Sequence, residues 1–182
     1  MSNHLYDRVF ASHEDNPKPF LIGETQTLSY VTFHELVNKL ARALIASGLK
    51  TGDRVAVQAA KSNTQLALYV ATIKAGGVFL PLNTSYTAHE LDYFISNAQA
   101  RLVVVDEKAK QAVTPIAEAQ GANLLTLNAD ESGTLPALAG QQAAQFEAVA
   151  RGSEDLAAIL YTSGTTGRSK GAQLCHRNLH SN

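Results

Sequence analysis

The sequence predicts an α/β fold built on a largely parallel sheet with helices on both faces. Three observations carry that expectation. Strand and helix patterns alternate from residue 50 to 127, the order produced when each strand is returned to the sheet by a helix. Leu102-Val-Val-Val105 is a continuous apolar run, the pattern of a strand covered on both sides. Between Asp155 and Cys175 a polar loop is pinned between two apolar runs, which reads as two short strands.

Leu5, Val9 and Phe10 give a short amphipathic helix that Pro17 and Pro19 close off. Phe20–Ile22 and Thr27–Ser29 read as short strands around a Gly23-Glu24 turn. Ser29 is placed to cap a helix carrying Phe33, Leu36, Val37, Leu40 and Leu44 at helical spacing, with Gly48 just past its end. Arg54–Gln58 is a strand introduced by the Gly52-Asp53 turn. Ser62 caps the next helix, whose expected apolar stripe is Leu66, Tyr69, Val70 and Ile73, and Gly76-Gly77 stops it. Val78–Leu82 follows as a buried strand ending in the polar turn Asn83-Thr84-Ser85.

Thr87 and Glu90 form a capping box for a helix burying Leu91, Phe94 and Ile95. After Leu102–Val105, residues 107–120 read as helical, but Pro115 has no N–H to donate mid-helix. Thr114 as N-cap with Pro115 at the first helical position predicts two short pieces instead. Asn123–Leu127 is another strand, and residues 128–154 read as surface loop with one weak helix. The expected organisation is a unit 1–50 of helix, short strands and helix leading into the sheet, then a sheet subdomain 51–182 ending in the polar loop. No internal repeat is visible.

With 182 residues, 45% of them apolar, the chain can bury a sizeable core. Fifteen basic residues against sixteen acidic ones leave a net charge of −1, so no basic field invites nucleic acid. Cys175 is the only cysteine, which rules out an intrachain disulfide and a cysteine-based metal cluster. The first residues lack the order of a signal peptide, and no apolar run approaches membrane-spanning length. A cytoplasmic protein is the expectation.

The loop from Thr162 to Gly171 holds three glycines, five hydroxyl side chains, one Arg, one Lys and no apolar side chain. Gly164, Gly167 and Gly171 can take backbone angles closed to other residues and let main chain approach a ligand. Successive N–H groups then form a concavity suited to an anion. Thr162, Ser163, Thr165, Thr166 and Ser169 add donors; Arg168 and Lys170 add positive charge. A polyphosphate matches this set best. A flexible linker is seldom pinned between apolar runs, and ten residues is long for an ordinary hairpin turn. Nor is this a Walker A loop, since Ser169 rather than Gly precedes Lys170 and a strand, not a helix, follows.

Tyr161-Thr-Ser-Gly-Thr-Thr-Gly-Arg-Ser-Lys-Gly171 resembles the phosphate-binding signature of the adenylate-forming superfamily, which includes acyl-CoA synthetases, luciferases and peptide-synthetase adenylation domains. Leu28-Ser-Tyr30, Gly52-Asp-Arg-Val-Ala-Val57 and Lys74-Ala-Gly-Gly-Val-Phe-Leu-Pro-Leu-Asn83, running on to Leu91-Asp-Tyr-Phe94, resemble further segments of that superfamily in the same order. Arg168-Ser-Lys170, with Ala67-Leu-Tyr69, Pro81-Leu-Asn83 and Asp155-Leu-Ala-Ala158, resembles the malonyl-CoA synthetase branch.

The resemblance implies an incomplete N-terminal domain of the adenylate-forming fold. It implies an enzyme that joins malonate, or a similar small carboxylate, to coenzyme A with ATP and Mg2+, releasing AMP and diphosphate. Thr162, Ser163, Gly164, Thr165, Thr166, Gly167, Arg168, Ser169 and Lys170 would bind the nucleotide phosphates. Lys170 and Thr166 would act in catalysis, and Thr165 or Thr166 would lie near the metal, with Thr165 the assigned ligand. Arg168 could meet an extra carboxylate, a phosphate or only solvent.

Family members are well over twice this length, so the chain would be the front of an enzyme and inactive alone. Its adenine-, ribose- and CoA-binding residues would lie beyond residue 182, and an uncovered sheet edge would favour self-association. Another carboxylic acid, or a non-catalytic fragment that only binds nucleotide phosphates, are the alternatives. His176 stands where the family often has His and reads as a helix-start residue bonding locally. Cys175 reads as a small, partly buried thiol, the other histidines as scattered, and the tyrosines as core and surface packing.

Overall fold

The computed structural model describes residues 2–23, 26–162 and 169–181. α1 (His4–Val9) and a short 3-10 turn precede a two-stranded antiparallel sheet, β1 (Pro19–Ile22) and β2 (Thr27–Ser29). The body follows as α2 (Tyr30–Ala46), β3 (Arg54–Gln58), α3 (Asn63–Lys74), β4 (Val78–Pro81), α4 (Ala88–Ala98), β5 (Ala100–Val105), α5 (Glu107–Ala119), β6 (Asn123–Thr126) and α6 (Thr134–Gly140). It closes with β7 (Leu156–Thr162), β8 (Lys170–Cys175) and α7 (His176–His180). The six-stranded sheet has the order β6-β5-β3-β4-β7-β8, parallel throughout except for the last strand.

Side chains alternate across this sheet as the pleat demands. Val55, Val57, Phe79, Leu102 and Val104 point into a core shared with α1, α2, α3 and α6. Ala56, Leu80, Val103 and Val105 point the other way, into a core shared with α4 and α5. The α/β fold with helices on both faces therefore stands as expected. Helix starts follow the predicted caps: the hydroxyls of Ser29, Ser62 and Thr87 accept N–H bonds in the first turns of α2, α3 and α4. Thr87 and Glu90 complete the reciprocal capping box, and those donors hold the Glu90 carboxyl below its usual range.

Two expectations are corrected. α5 runs unbroken from Glu107 to Ala119 with Pro115 inside it. Buried Val113 and Ala117 anchor the helix while Pro115 faces solvent, so the carbonyl that loses its N–H partner is free to meet water. Thr114, proposed as a cap, instead donates its hydroxyl to the Lys110 carbonyl at 2.8 Å. In α3, Leu66 is exposed while Ala67, Leu68, Val70, Ala71 and Ile73 are buried. The helix is packed by α2 on one side and the sheet beneath, so a single stripe underestimates what it buries.

One polar cluster lies inside the first core. The Lys74 ammonium, almost fully buried, sits 2.8 Å from Glu14 Oε1, 2.7 Å from Asn38 Oδ1 and 4.5 Å from the Tyr6 ring centroid. Tyr6 donates its hydroxyl to Glu14, and His34 Nδ1 lies 3.1 Å from the same oxygen. Burial alone would raise the Glu14 pKa, but hydrogen bonds from Lys74 and Tyr6 and the lysine's charge hold it below the usual value. Burial and the adjoining carboxylate push the Tyr6 phenol well upward.

Candidate functional site

β7 and β8 form an antiparallel hairpin in which Thr162 pairs with Lys170, Tyr161 with Gly171 and Leu160 with Ala172. Buried Ala157, Ala158 and Ile159 seat β7 in the sheet, where its ladder to β4 consists of the single pair Phe79↔Ala158. β8 forms the sheet's edge, and its first four residues are exposed. The hairpin expected from the apolar-polar-apolar pattern is thus present. Its connection is shorter than read from sequence, because Thr162, Lys170 and Gly171 are strand residues and only 163–169 link the two strands.

Among the assigned site residues, Thr162, Ser169 and Lys170 are described. Ser163, Gly164, Thr165, Thr166, Gly167 and Arg168 lie outside the described residues, together with the metal and catalytic roles assigned to Thr165 and Thr166. Thr162 and Lys170 are paired across the base of the connection and both are exposed. No ion pair joins Lys170 to any described residue. A hydroxyl and an ammonium therefore stand side by side, a donor set that fits phosphate oxygens. Among the described residues no group of three His, Cys, Asp or Glu side chains is placed to hold a metal ion.

Gly171 needs a different explanation from the one the sequence suggested. It has ordinary extended backbone rather than a positive φ. A Cβ there would lie 3.0 Å from Ile159 Cγ2 and 3.3 Å from the Tyr161 ring. The glycine makes room for the Ile159 methyl and the Tyr161 ring.

Both stems of the hairpin are held by α4. Tyr93 donates its hydroxyl to the Ser169 carbonyl at 2.9 Å, and Tyr161 donates to Asn97 Oδ1 at 2.5 Å. The rings of Phe94 and Tyr161 pack with centroids 4.5 Å apart and planes inclined by 43°. Burial, then the neighbouring Tyr93, pushes the Tyr161 phenol up. A cleft of about 690 Å³ opens between α4 and Ser169, lined by His89, Asp92, Tyr93 and Asn97. The tyrosines do pack, as read from sequence, but Tyr93 and Tyr161 also anchor main chain and side chain. The available signal was position: Tyr93 lies in the Leu91–Phe94 segment already singled out.

His176 opens α7, fully buried, and its Nδ1 accepts the Leu5 N–H at 3.3 Å. The bond is therefore long-range rather than local, joining α7 to α1. Burial first, then the charges of Arg151 and His4 against that of Asp155, lower its pKa to about 4. The native ring stays neutral where the unfolded one, near pH 6.5, protonates. This stability is intact above pH 6.5 and drains as pH falls toward 4. Between pH 6.5 and 5 the loss should be about 2 kcal/mol from this residue. Urea unfolding at both pH values should show that loss shrink in His176→Gln. Cys175, partly buried as expected, donates its N–H and thiol to Asn178 Oδ1 at 3.0 and 2.8 Å and so caps α7.

The fold and site define an α/β domain that presents a polar, cationic hairpin at the open edge of its sheet. The model of the AMP-binding enzyme family matches residues 8–182, and the chain belongs to that family of adenylate-forming ligases. ATP-bound MatB from Rhodopseudomonas palustris superposes over 100% of the chain with a TM-score of 0.95 and 46% identity. Bacitracin synthase 3 of Bacillus licheniformis is 33% identical over 174 residues, 94% of the chain. Probable CoA ligase CCL9 of Humulus lupulus is 29% identical over 182 residues, 97% of the chain. The chain spans 36% of the MatB structure, 34% of CCL9 and 3% of the bacitracin synthase. Its fold is that of the N-terminal domain of adenylate-forming enzymes.

Proposed function

We propose that this chain is the phosphate-handling part of an ATP-dependent acyl-CoA synthetase that activates malonate. The observation that carries the phosphate reading is the hairpin that sets Thr162 opposite an exposed Lys170 that is ion-paired to no described residue. The 46% identity to an ATP-bound protein over the whole chain supports ATP as the nucleotide. The likeness of Arg168-Ser-Lys170 to the malonyl-CoA synthetase branch favours malonate over other acids.

In the reaction proposed, a carboxylate oxygen attacks the α-phosphorus of ATP and diphosphate leaves. The thiol of coenzyme A then displaces AMP from the acyl-adenylate. The chain's own share is to position the β- and γ-phosphates and offset their charge, which is where rate is gained in such transfers. Lys170 supplies a flexible point charge able to follow the departing diphosphate. Ser163, Gly164, Thr165, Thr166, Gly167 and Arg168 would line the phosphates, with Thr165 or Thr166 near a magnesium ion. The cytoplasm suits these substrates.

Calorimetric titration of the chain with ATP tests the phosphate reading. Lys170→Ala should weaken binding about tenfold or more, the worth of one charge-assisted hydrogen bond; unchanged affinity would overturn it. The acid is tested on a polypeptide in which residues 1–182 are followed by the region its relatives carry. AMP release should be fastest with malonate; faster release with benzoate or a long-chain acid would replace it. Turnover by the 182-residue chain alone would overturn the view that it is only part of the machinery.

A further inference from the structure

We propose that Tyr93 and Asn97, one turn apart on α4, are positioning residues that fix the two stems of the hairpin and thereby place Lys170. This deepens the phosphate reading and rests on it.

The hairpin needs such support. β7 meets β4 through one ladder pair, and among the described residues no strand pairs with the outer side of β8. Main-chain pairing therefore leaves the end that carries Thr162 and Lys170 projecting past the sheet. Side chains do the fastening there. Tyr161, one residue before Thr162, is tied to Asn97, and Ser169, one residue before Lys170, is tied to Tyr93. Asn97 and Tyr93 are four residues apart, so they lie on one face of α4, and the capping box and buried Leu91, Phe94 and Ile95 hold that helix in place. Ring packing of Tyr93 on Phe94 and of Phe94 on Tyr161 completes the brace.

Tyr93 reaches the main-chain carbonyl of Ser169, not its side chain. A change of side chain at position 169 thus leaves the tether intact, whereas loss of one hydroxyl at position 93 removes it. An ammonium on a four-carbon stem has many rotamers, so fixing the Cα that bears it decides how often the charge meets a phosphate.

The test uses Tyr93→Phe, which keeps the ring and deletes only the hydroxyl, beside Lys170→Ala and the unaltered chain. ATP affinity is measured by calorimetry, amide hydrogen exchange at Lys170 and Gly171 by mass spectrometry, and thermal stability by melting. Tyr93→Phe should weaken ATP binding roughly three- to tenfold, within the worth of one hydrogen bond, and speed exchange at Lys170 and Gly171. Exchange elsewhere in the sheet should not change. If Lys170→Ala weakens ATP binding while Tyr93→Phe alters neither affinity nor exchange, the positioning role is wrong and the phosphate reading stands. If Lys170→Ala leaves ATP binding unchanged, the phosphate reading fails, and exchange at Lys170 still decides whether the hydroxyl fixes the stem. Uniformly faster exchange across the sheet with a large fall in melting temperature would reduce Tyr93 to a general packing residue and overturn the proposal.

Discussion

Gly133→Ala should lower the free energy of unfolding by about 4 kcal/mol, the upper range for a single substitution. Gly133 has φ of +132°, a conformation L side chains rarely adopt. It caps α6, and a Cβ there would lie 2.4 Å from the Thr126 carbonyl oxygen and 2.8 Å from its carbon. Those atoms belong to the last residue of β6 and cannot swing aside as a side chain would. Thr126 and Thr134 also lock the two segments together, each amide donating to the other's hydroxyl at 2.8 and 2.9 Å. Relief requires α6 to shift from α2, exposing Leu135 and Ala139. A fall in melting temperature of about 10 °C is expected for a chain of this size. Gly121→Ala is the control: its φ is also positive but nothing lies within 4 Å of an added Cβ, so its smaller loss measures backbone strain alone.

Lys74→Met should cost about 3 kcal/mol, the low end for breaking a buried ion pair because Glu14 keeps access to water. Methionine retains most of the stem and its packing but removes the ammonium. Asn38 Oδ1 and Glu14 Oε1 then lose the lysine donor that stands 2.7 and 2.8 Å away. Glu14→Gln alone should cost less, since Tyr6 and Lys74 can still bond an amide oxygen. Adding Glu14→Gln to Lys74→Met should recover part of the loss, because it removes the uncompensated carboxylate. Urea midpoints of the three variants provide the cycle. An additive double variant would show that the two groups do not interact energetically.

These two positions also mark where sequence reasoning stops. The order of strands and helices was legible because hydrophobic period and caps are local, and Ser29, Ser62, Thr87 and Glu90 behave as read. Pro115 misled because a proline's cost within a helix depends on whether the orphaned carbonyl faces solvent, which tertiary packing decides. Leu66 misled because α3 is wrapped on more than one side. Gly133 fell in the stretch 128–154 read as surface loop with one weak helix; only the proximity of β6 makes it obligatory. Lys74 looked like part of a motif, and its partner Glu14 is sixty residues away.

At the site, Thr162 and Lys170 were legible from the donor composition of one contiguous stretch. Gly171 was read for its backbone freedom, whereas its backbone is extended and an added Cβ would crowd Ile159 and Tyr161. Tyr93 and Asn97 were not read as site residues, because their contacts bridge 76 and 64 positions and composition says nothing about a hydroxyl reaching a main-chain carbonyl so far along the chain.

The seat of the first helix has a consequence for synthesis. Asn3 bonds the Val149 carbonyl, His4 and Ser2 bond Arg151, and the Leu5 amide bonds His176, spans of 146 to 171 residues. These bonds cannot form until the chain has been synthesised to residues 149–176. Closing loops of that length is entropically slow, so the main-chain seat of α1 completes late even though Tyr6 can meet His34 and Lys74 earlier. Until those bonds close, α1 is the natural handhold for a chaperone or a protease.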